Sequence, residues 1–414
     1  MIGVDTARAA QRPAPIDTGL TPEAFQESFG EKLADVLAIE RWRAGQNLDD
    51  EYRRIEQEVR EAVTWEDEYQ QRVRDEVHPK LWSPGAPKGA GHYQVPLVEI
   101  KEIHRGLLFP GGVEACDGSS QVHDTLPLTI HQIAVSLVSY HGDSGSWHQR
   151  LFRRDLRQRH DDPIAETLEL LQRRSLRSAQ NHDSARDGLS ELARRGIMSY
   201  AERAVLVRKA TARWRMGHGN PAEYQFFISS YPELMIQAIC LLRELIEGHQ
   251  KFVFVSSEPA DRMLLTIGHA LRPLEFAVVG TLADQMHRYL SQIQFASRVS
   301  IDATWDGVKL TPDEWVVRFR DDLASRVIVG VYRATRLGPA QVFYAYEDYA
   351  HEAARIALAD SVLQEHRGFP LLIDLADKTC KSIYGGGSLQ EMASNAYAAA
   401  GLPYRYLSER MSRE

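Results

Sequence analysis

Three acidic residues occupy positions from which a protein can hold a divalent cation. Asp117 follows the short apolar segment 113–116 and directly precedes Gly118. Asp374 and Asp377 are three residues apart in a predicted helix, and that spacing places them on one helix face. Carboxylate oxygens are preferred ligands of Mn²⁺ and Mg²⁺. These residue types and positions are therefore compatible with a metal site.

Each acidic motif also has an ordinary structural explanation. The sequence Asp117-Gly118-Ser119 is typical of a hairpin turn, since glycine permits the backbone angles of a tight turn. Acids in the first turn of a helix stabilise its positive end, which would account for Asp374 and Asp377. Spacing alone leaves both alternatives open.

The surrounding pattern predicts the elements that would position these acids. Segments 113–117 and 128–140 are predicted strands, and so is 251–257, which follows a predicted helix at 232–247. Two of these strands, 113–117 and 251–257, end in polar residues. We expect all three to share one sheet of an α/β protein, with the polar ends forming an active-site edge.

A local excess of positive charge lies in residues 151–215. This segment contains 15 Lys or Arg against 9 Asp or Glu, whereas the whole chain has a net charge of −8. Arginine pairs well with phosphate, so a helical DNA-binding insertion is one interpretation, and a solvated helical face is the other. The predicted DNA-binding residues are Arg153, Arg154, Arg157, Arg173, Arg174 and Arg177.

The N-terminal region is predicted to be separate from the sheet. Residues 1–20 form a loose tail, and residues 21–95 form a helical arm that contains a heptad seam. Packing against the protein's own core and pairing with a second chain both fit this seam. Its residues are Leu48, Tyr52, Ile55, Val59, Ala62, Glu66, Tyr69 and Val73.

Composition limits the class of protein. The 414 residues are 43% hydrophobic and 26% charged, which is ordinary for a globular protein. The three cysteines have no metal-ligand spacing, and they favour a reducing, cytoplasmic location. Apolar runs fall far short of the ~18 residues that a membrane-spanning helix needs, so no membrane association is expected.

Three motifs together resemble the NurA-type nucleases. They are VEACDGSSQ at 113–121, the strand QVFYAYED at 341–348 followed by a helix and RGFPLLIDLAD at 367–377, and the helix-then-strand unit at 232–257. The resemblance implies an RNase H-like mixed sheet flanked by helices over residues 96–414, with Mn²⁺ or Mg²⁺ as cofactor. It also implies a homodimer, DNA as substrate, and a HerA-like hexameric ATPase as partner.

The resemblance transfers unevenly to individual positions. Asp117 matches the family's first acid, Asp377 stands where the family has His, and Phe369 stands for its Tyr. The middle acidic strand is assigned to 251–257, where Ser256 and Ser257 replace the acid and Glu258 is the nearest carboxylate. For the helical glutamate, Glu233 is the first choice and Glu202 the second. The predicted metal ligands are Asp117, Glu233, Glu258 and Asp377, and the predicted catalytic residues are Asp117, Glu233 and Asp377.

The leading hypothesis is a metal-dependent DNA nuclease that acts in DNA end processing or anti-phage defence. Its activity would be that of a 5′-to-3′ exonuclease, an endonuclease or both. A second hypothesis is a catalytically weak, DNA-binding adaptor subunit of a translocase, which the serines at 256 and 257 favour. An unrelated α/β protein is the third.

Overall fold

The computed structural model describes residues 21–41, 48–124, 128–141, 145–155, 168, 195–228, 232–257, 261–290 and 303–403. The chain divides into two compact units, Met1–Asp67 and Glu68–Glu414. The candidate site lies entirely in the second unit.

The described α-helices are α1 Pro22–Phe29, α2 Leu33–Leu37, α3 Leu48–Glu76, α4 Leu97–Ile103, α5 Ile197–Arg208, α6 Tyr224–Ile228, α7 Pro232–Arg243, α8 Arg262–His269, α9 Leu282–Leu290, α10 Pro312–Arg318, α11 Ala350–Ser361, α12 Leu371–Tyr384 and α13 Gly386–Ala399. The described strands are β1 Gly91–Gln94, β2 Val113–Asp124, β3 Leu128–Val138, β4 Gly145–Asp155, β5 Trp214–His218, β6 Phe252–Ser256, β7 Glu275–Thr281, β8 Thr304–Trp305, β9 Val308–Lys309, β10 Val327–Arg333 and β11 Gln341–Tyr346.

Within the described residues, nine strands form one mixed sheet in the order β1-β7-β10-β11-β6-β5-β2-β3-β4. β2, β3 and β4 are successive antiparallel strands. β5 is parallel to β2, and β6 is parallel to β5. The predicted strands at 113–117, 128–140 and 251–257 thus share one sheet, and the α/β prediction is confirmed.

Side chains alternate between the two faces of this sheet, as the period of a strand requires. On β6, Phe252 and Phe254 pack into the core that contains α5 and α7, whereas Val253 and Val255 pack into the core beneath α11 and α12. The same alternation on β2 places Cys116 toward α5 and Ala115 toward α12. Both faces are covered, so these strands are apolar on both sides.

Asp117 does not stand at the end of a strand. β2 continues through Asp117, Gly118 and Ser119 as far as Asp124, and its pairing with β3 is unbroken along that length. The prediction of a glycine turn after Asp117 is therefore wrong. Gly118 is required here for the close approach of a helix.

Two predicted boundaries differ from the observed elements. The basic region 151–215 begins as strand, because β4 runs from Gly145 to Asp155 and pairs with β3. Residues 91–94, assigned to the helical arm, form β1, which pairs with β7. In both cases strand pairing determined the structure: β4 follows β3 in a local antiparallel pair, and β1 pairs with a strand distant in sequence.

The heptad segment is helical, as α3 shows. At its C-terminal end Val73 is buried, and Arg74 forms an ion pair with Glu275 at 2.6 Å. Tyr52, Ile55 and Val59 are exposed in this single chain. Pairing of the seam with a second chain, one of the two alternatives, stays a prediction.

No helix in the described part of the chain is both long enough and apolar enough to cross a membrane.

Candidate functional site

A cavity of about 480 Å³ opens beside β2, where β5 and β6 end. Ser257, the residue after β6, lies at its edge, as expected for the carboxyl ends of parallel strands. The acidic and imidazole side chains that line the cavity are Asp117, Glu202, His218, Glu223, Asp374 and Asp377. Its cationic side chains are Arg195, Arg367 and Lys381.

Gly118 allows the helix carrying Glu202 to lie close to the strand that carries Asp117. A Cβ added at Gly118 would lie 2.5 Å from Oε1 of Glu202 and 3.1 Å from Cγ of Met198. The Cys116 thiol donates a hydrogen bond to the backbone oxygen of Glu202 at 3.3 Å. Burial raises the pKa of this thiol well above its usual value, so it stays protonated and can donate. The fold thus brings the Glu202 carboxyl group of α5 against the strand that carries Asp117.

Glu202 is poorly accommodated as an anion. Burial, and then the neighbouring charge of Asp117, raise the pKa of Glu202 to about 8, although Arg203 opposes the shift. A carboxyl group in this state favours either a proton or a metal cation. The site therefore has unbalanced negative charge where a cation would be stabilised.

His218 is the last residue of β5 and lies beside Asp117. Its Nδ1 is 3.3 Å from Oδ1 of Asp117, and its ring packs edge-on against Phe369 with centroids 5.5 Å apart. Burial would lower the pKa of His218, but the hydrogen bond and charge of Asp117, with the charge of Glu202, raise it above its usual value. The imidazole thus partly balances the acids.

Arg203 is a buried cation that fixes the acidic side of the cavity. It donates to Oε2 of Glu202 at 2.9 Å and to Oε1 of Glu223 at 3.1 Å. Further hydrogen bonds reach the backbone oxygens of Ser199, Pro221 and Asn220. This one side chain therefore ties α5 to the loop between β5 and α6.

The opposite wall is α12. Asp377 lines the cavity and accepts a hydrogen bond from Lys381 at 2.8 Å. Asp374 is buried, and it contacts both Arg367 and Lys378. Burial alone would raise the pKa of Asp374, but the hydrogen bonds from Lys378 and Arg367 lower it. Each oxygen of Asp374 is thus already paired with a cation.

Asp360 fixes the start of α12. It accepts hydrogen bonds from the backbone N–H of Leu372 at 2.8 Å and from the hydroxyl of Tyr140 at 2.6 Å. Burial raises the pKa of Asp360 to about 6, even with these donors. A carboxylate from α11 therefore satisfies the first turn of α12 and sets the position of Asp374 and Asp377.

The structure distributes the residues proposed from the sequence unevenly. Asp117 and Asp377 line the cavity, whereas Glu233 is exposed in the first turn of α7, whose buried face carries residues such as Met235 and Ile239. Glu202, the second choice, occupies the place proposed for Glu233. Glu258 lies outside the described residues.

Most of the predicted DNA-binding arginines lie outside the described residues. Arg153 and Arg154 belong to β4, opposite Ile130 and Thr129 of β3. The others, Arg157, Arg173, Arg174 and Arg177, lie outside the described residues. Their role in DNA binding stays a prediction.

Sequence reasoning missed His218 and Glu223. No role was assigned to His218, which two glycines flank in the sequence, yet it ends a short strand, Trp214-Arg215-Met216-Gly217-His218. This strand lies between β2 and β6, so β5, and not β6, is next to the strand of Asp117. The alternation Trp214, Met216, His218 is a period-two signal that could have identified it.

The donor set suits a hard or borderline divalent cation. Asp117 and Glu202 supply oxygen, and His218 supplies nitrogen, a combination compatible with Mn²⁺. Among the described residues, no three His, Cys, Asp or Glu side chains lie as close together as the ligands of one ion. The residues thus fit a cation by chemistry, and binding requires them to draw together.

The raised pKa of Glu202 predicts a specific pH dependence. Between 4.5, the usual value, and about 8, the folded protein retains a proton that the unfolded chain has lost. Stability of the wild type in EDTA should therefore fall as pH rises through this window, and Glu202→Gln should flatten that slope. Urea unfolding from about pH 5 to about pH 9 measures both slopes. Equal slopes for the two proteins would contradict the assignment of Glu202.

Comparisons with known proteins give matches in structure alone. No protein-family model and no curated protein matches the sequence. The structure of the NurA nuclease from Sulfolobus solfataricus is 10% identical, with a TM-score of 0.44, and the match covers 86% of this chain and 98% of that one. A structure of NurA with manganese is 11% identical with a TM-score of 0.39, covering 82% and 98%. A structure of NurA bound to dAMP and manganese is 9% identical with a TM-score of 0.37, covering 81% and 95%.

These structures belong to the family that the sequence motifs resemble, and the likeness concerns the fold. The function is inferred below from the site residues of this chain.

Proposed function

We propose that this protein is a metal-dependent DNA nuclease that hydrolyses phosphodiester bonds in the cavity between β2, α5, β5 and α12. One observation carries the proposal: the buried carboxyl groups of Asp117, which lies beside His218, and of Glu202 line the same cavity, and burial together with the charge of Asp117 raises the pKa of Glu202 to about 8. A carboxyl group in a cleft whose pKa is raised by burial and by a neighbouring carboxylate is typical of functional sites.

The proposed cofactor is Mn²⁺ or Mg²⁺, held by Asp117 and Glu202, with His218 and Asp377 as further ligands. When bound, the ion would polarise the phosphate and lower the pKa of an attacking water. Asp117 is held in place by β2, and Glu202 by the hydrogen bond that Arg203 donates to it. Lys381, which hydrogen-bonds Asp377, is placed to balance the negative charge of that acid.

Two further features support a nucleic-acid substrate. Arg195, Arg367 and Lys381 line the same cavity as the acids, so a phosphate could be bound between metal ligands and cations. The antiparallel set β2-β3-β4, followed by the parallel strands β5 and β6, supports the RNase H-like core that the resemblance implies. The homodimer, the HerA-like ATPase partner, and the roles in end processing or anti-phage defence are part of this proposal.

The decisive experiment is digestion of end-labelled linear DNA by the purified chain, with Mn²⁺, with Mg²⁺ and with EDTA. We expect cleavage that requires the divalent ion, because the cavity acids alone provide no electrophile. Single- and double-stranded substrates labelled at either end distinguish exonuclease polarity from endonuclease cutting. Cleavage that persists undiminished in EDTA would contradict the proposal.

A second candidate is the catalytically weak DNA-binding adaptor. It is favoured by the ion pairs on α12, because Asp374 and Asp377 are already occupied by Arg367, Lys378 and Lys381. If neither ion supports cleavage, alone or with an ATP-driven partner, while the chain still binds DNA, the adaptor replaces the nuclease.

A further inference from the structure

We propose that Arg367 is the phosphate-binding residue of a substrate subsite, with Asp374 and Lys378 positioning it, and that this subsite holds a backbone phosphate next to the one that is cut. The inference deepens the proposed nuclease function and rests on it for the identity of the ligand, a nucleic-acid backbone. The observations that carry it concern a wall of the cavity opposite Asp117 and Glu202.

Arg367 is held on a rigid loop. Its backbone N–H and that of Gly368 both donate to the oxygen of Gln364, at 3.2 and 2.8 Å. Its own oxygen accepts from Nε2 of Gln341 at 3.3 Å. Gly368 has φ of 55° and packs so tightly on Gly338 that a Cβ at Gly338 would lie 2.7 Å from its Cα. The backbone beneath Arg367 is therefore fixed from three sides.

The charges around Asp374 leave Arg367 available to an anion. Asp374 is only 5% exposed, and its two oxygens contact two cations, Nη1 of Arg367 and Nζ of Lys378, the latter at 2.6 Å. One negative charge thus faces two positive charges. The surplus positive charge lies at the cavity, because Arg367 lines it.

The guanidinium also has donors to spare. Its side chain is 56% exposed and lies 5.9 Å above the ring of Phe369. Among the described residues, Asp374 is its carboxylate partner and takes a hydrogen bond from one of its nitrogens. Arginine has five N–H donors in a planar fork that matches phosphate. A buried carboxylate that orients one edge of the fork leaves the other edge for a ligand.

The position of Arg367 relative to the proposed metal ligands indicates which phosphate it binds. Arg367, Phe369 and His218 form a continuous contact, since Phe369 touches both of the other side chains. His218 in turn contacts Asp117. A phosphate on Arg367 therefore lies one aromatic ring away from the proposed metal ligands, and we infer that it belongs to the neighbouring nucleotide.

The test is binding of a fluorescent single-stranded oligo(dT) in EDTA, where no metal-dependent cutting interferes. For Arg367→Gln we expect the Kd to rise about tenfold or more, since a charge-assisted hydrogen bond is lost. The slope of log K against log salt should become shallower by roughly 0.7, the value for one phosphate contact on a single strand. Arg105→Gln, which removes an exposed arginine outside the cavity lining, is the matched control and should change neither quantity by as much.

Lys378→Gln separates positioning from contact. It leaves Asp374 with Arg367 as its sole ion-pair partner among the described residues, so it should weaken binding less than Arg367→Gln, and thermal unfolding should show both variants folded. An unchanged Kd and unchanged salt slope for Arg367→Gln would overturn the subsite even if the wild type cuts DNA. If Arg367→Gln makes the salt slope shallower while the wild type cuts DNA with neither Mn²⁺ nor Mg²⁺, the subsite is retained and the nuclease is rejected.

Discussion

Asp117→Asn should reduce the rate of metal-dependent DNA cleavage by at least about 100-fold, with little change in DNA affinity. Asparagine preserves the size of the side chain and the oxygen that accepts the N–H of Gly118 at 2.9 Å. It removes the charge that a divalent ion requires. Removing that charge also relieves the repulsion on Glu202, so the variant should be as stable as the wild type or slightly more stable.

The measurement combines single-turnover cleavage in Mn²⁺, oligonucleotide binding in EDTA and urea unfolding. Glu233→Gln is the matched control, because Glu233 is an exposed acid on α7 that lies outside the cavity lining. It should cut DNA as the wild type does. If Asp117→Asn cleaves at the wild-type rate, the cavity is not the active site. If Glu233→Gln is the inactive variant, the helical glutamate was better chosen from the sequence than from the structure.

Much of the sheet was predictable because its strands carry strong local signals. The apolar run at 251–257 and the β-branched segment at 128–140 correspond to β6 and β3, and β3 is buried on both faces from His131 to Val138. The course of β2 beyond Asp117 was not predictable, since Asp-Gly-Ser is a typical turn sequence. Pairing with β3 along Asp117–Asp124 prevents the turn, and this is a tertiary effect that no local pattern contains.

The site was predictable where a motif marks a strand, and unpredictable where strand order decides. Asp117 follows an apolar segment, and it lines the candidate cavity. Glu202 is one of several glutamates on helices, and its importance depends on Gly118 allowing α5 to approach. His218 depends on β5 lying between β2 and β6. Sequence spacing does not contain that order, and only 251–257 was considered as the middle strand from the sequence.

Arg203→Met should lower the free energy of unfolding by about 3–5 kcal/mol, the usual cost of removing one partner from a buried ionic network. The side chain is 1% exposed. Its loss leaves Glu202, Glu223 and three backbone oxygens without the hydrogen bonds that Arg203 donates, and methionine can donate none. Urea unfolding in EDTA measures the change.

The pH dependence of this loss identifies its cause. Arg203 lowers the pKa of Glu202 against the effects of burial and of Asp117, so without it the carboxyl should hold its proton to higher pH. The wild type gains from the ionised pair only above about pH 8, and the deficit of Arg203→Met should therefore be larger at about pH 9 than at about pH 6. Arg60→Met, which breaks an exposed ion pair with Glu56 on α3, should change stability little at either pH. A deficit that is independent of pH would mean that the backbone hydrogen bonds, and not the charge on Glu202, account for the role of Arg203.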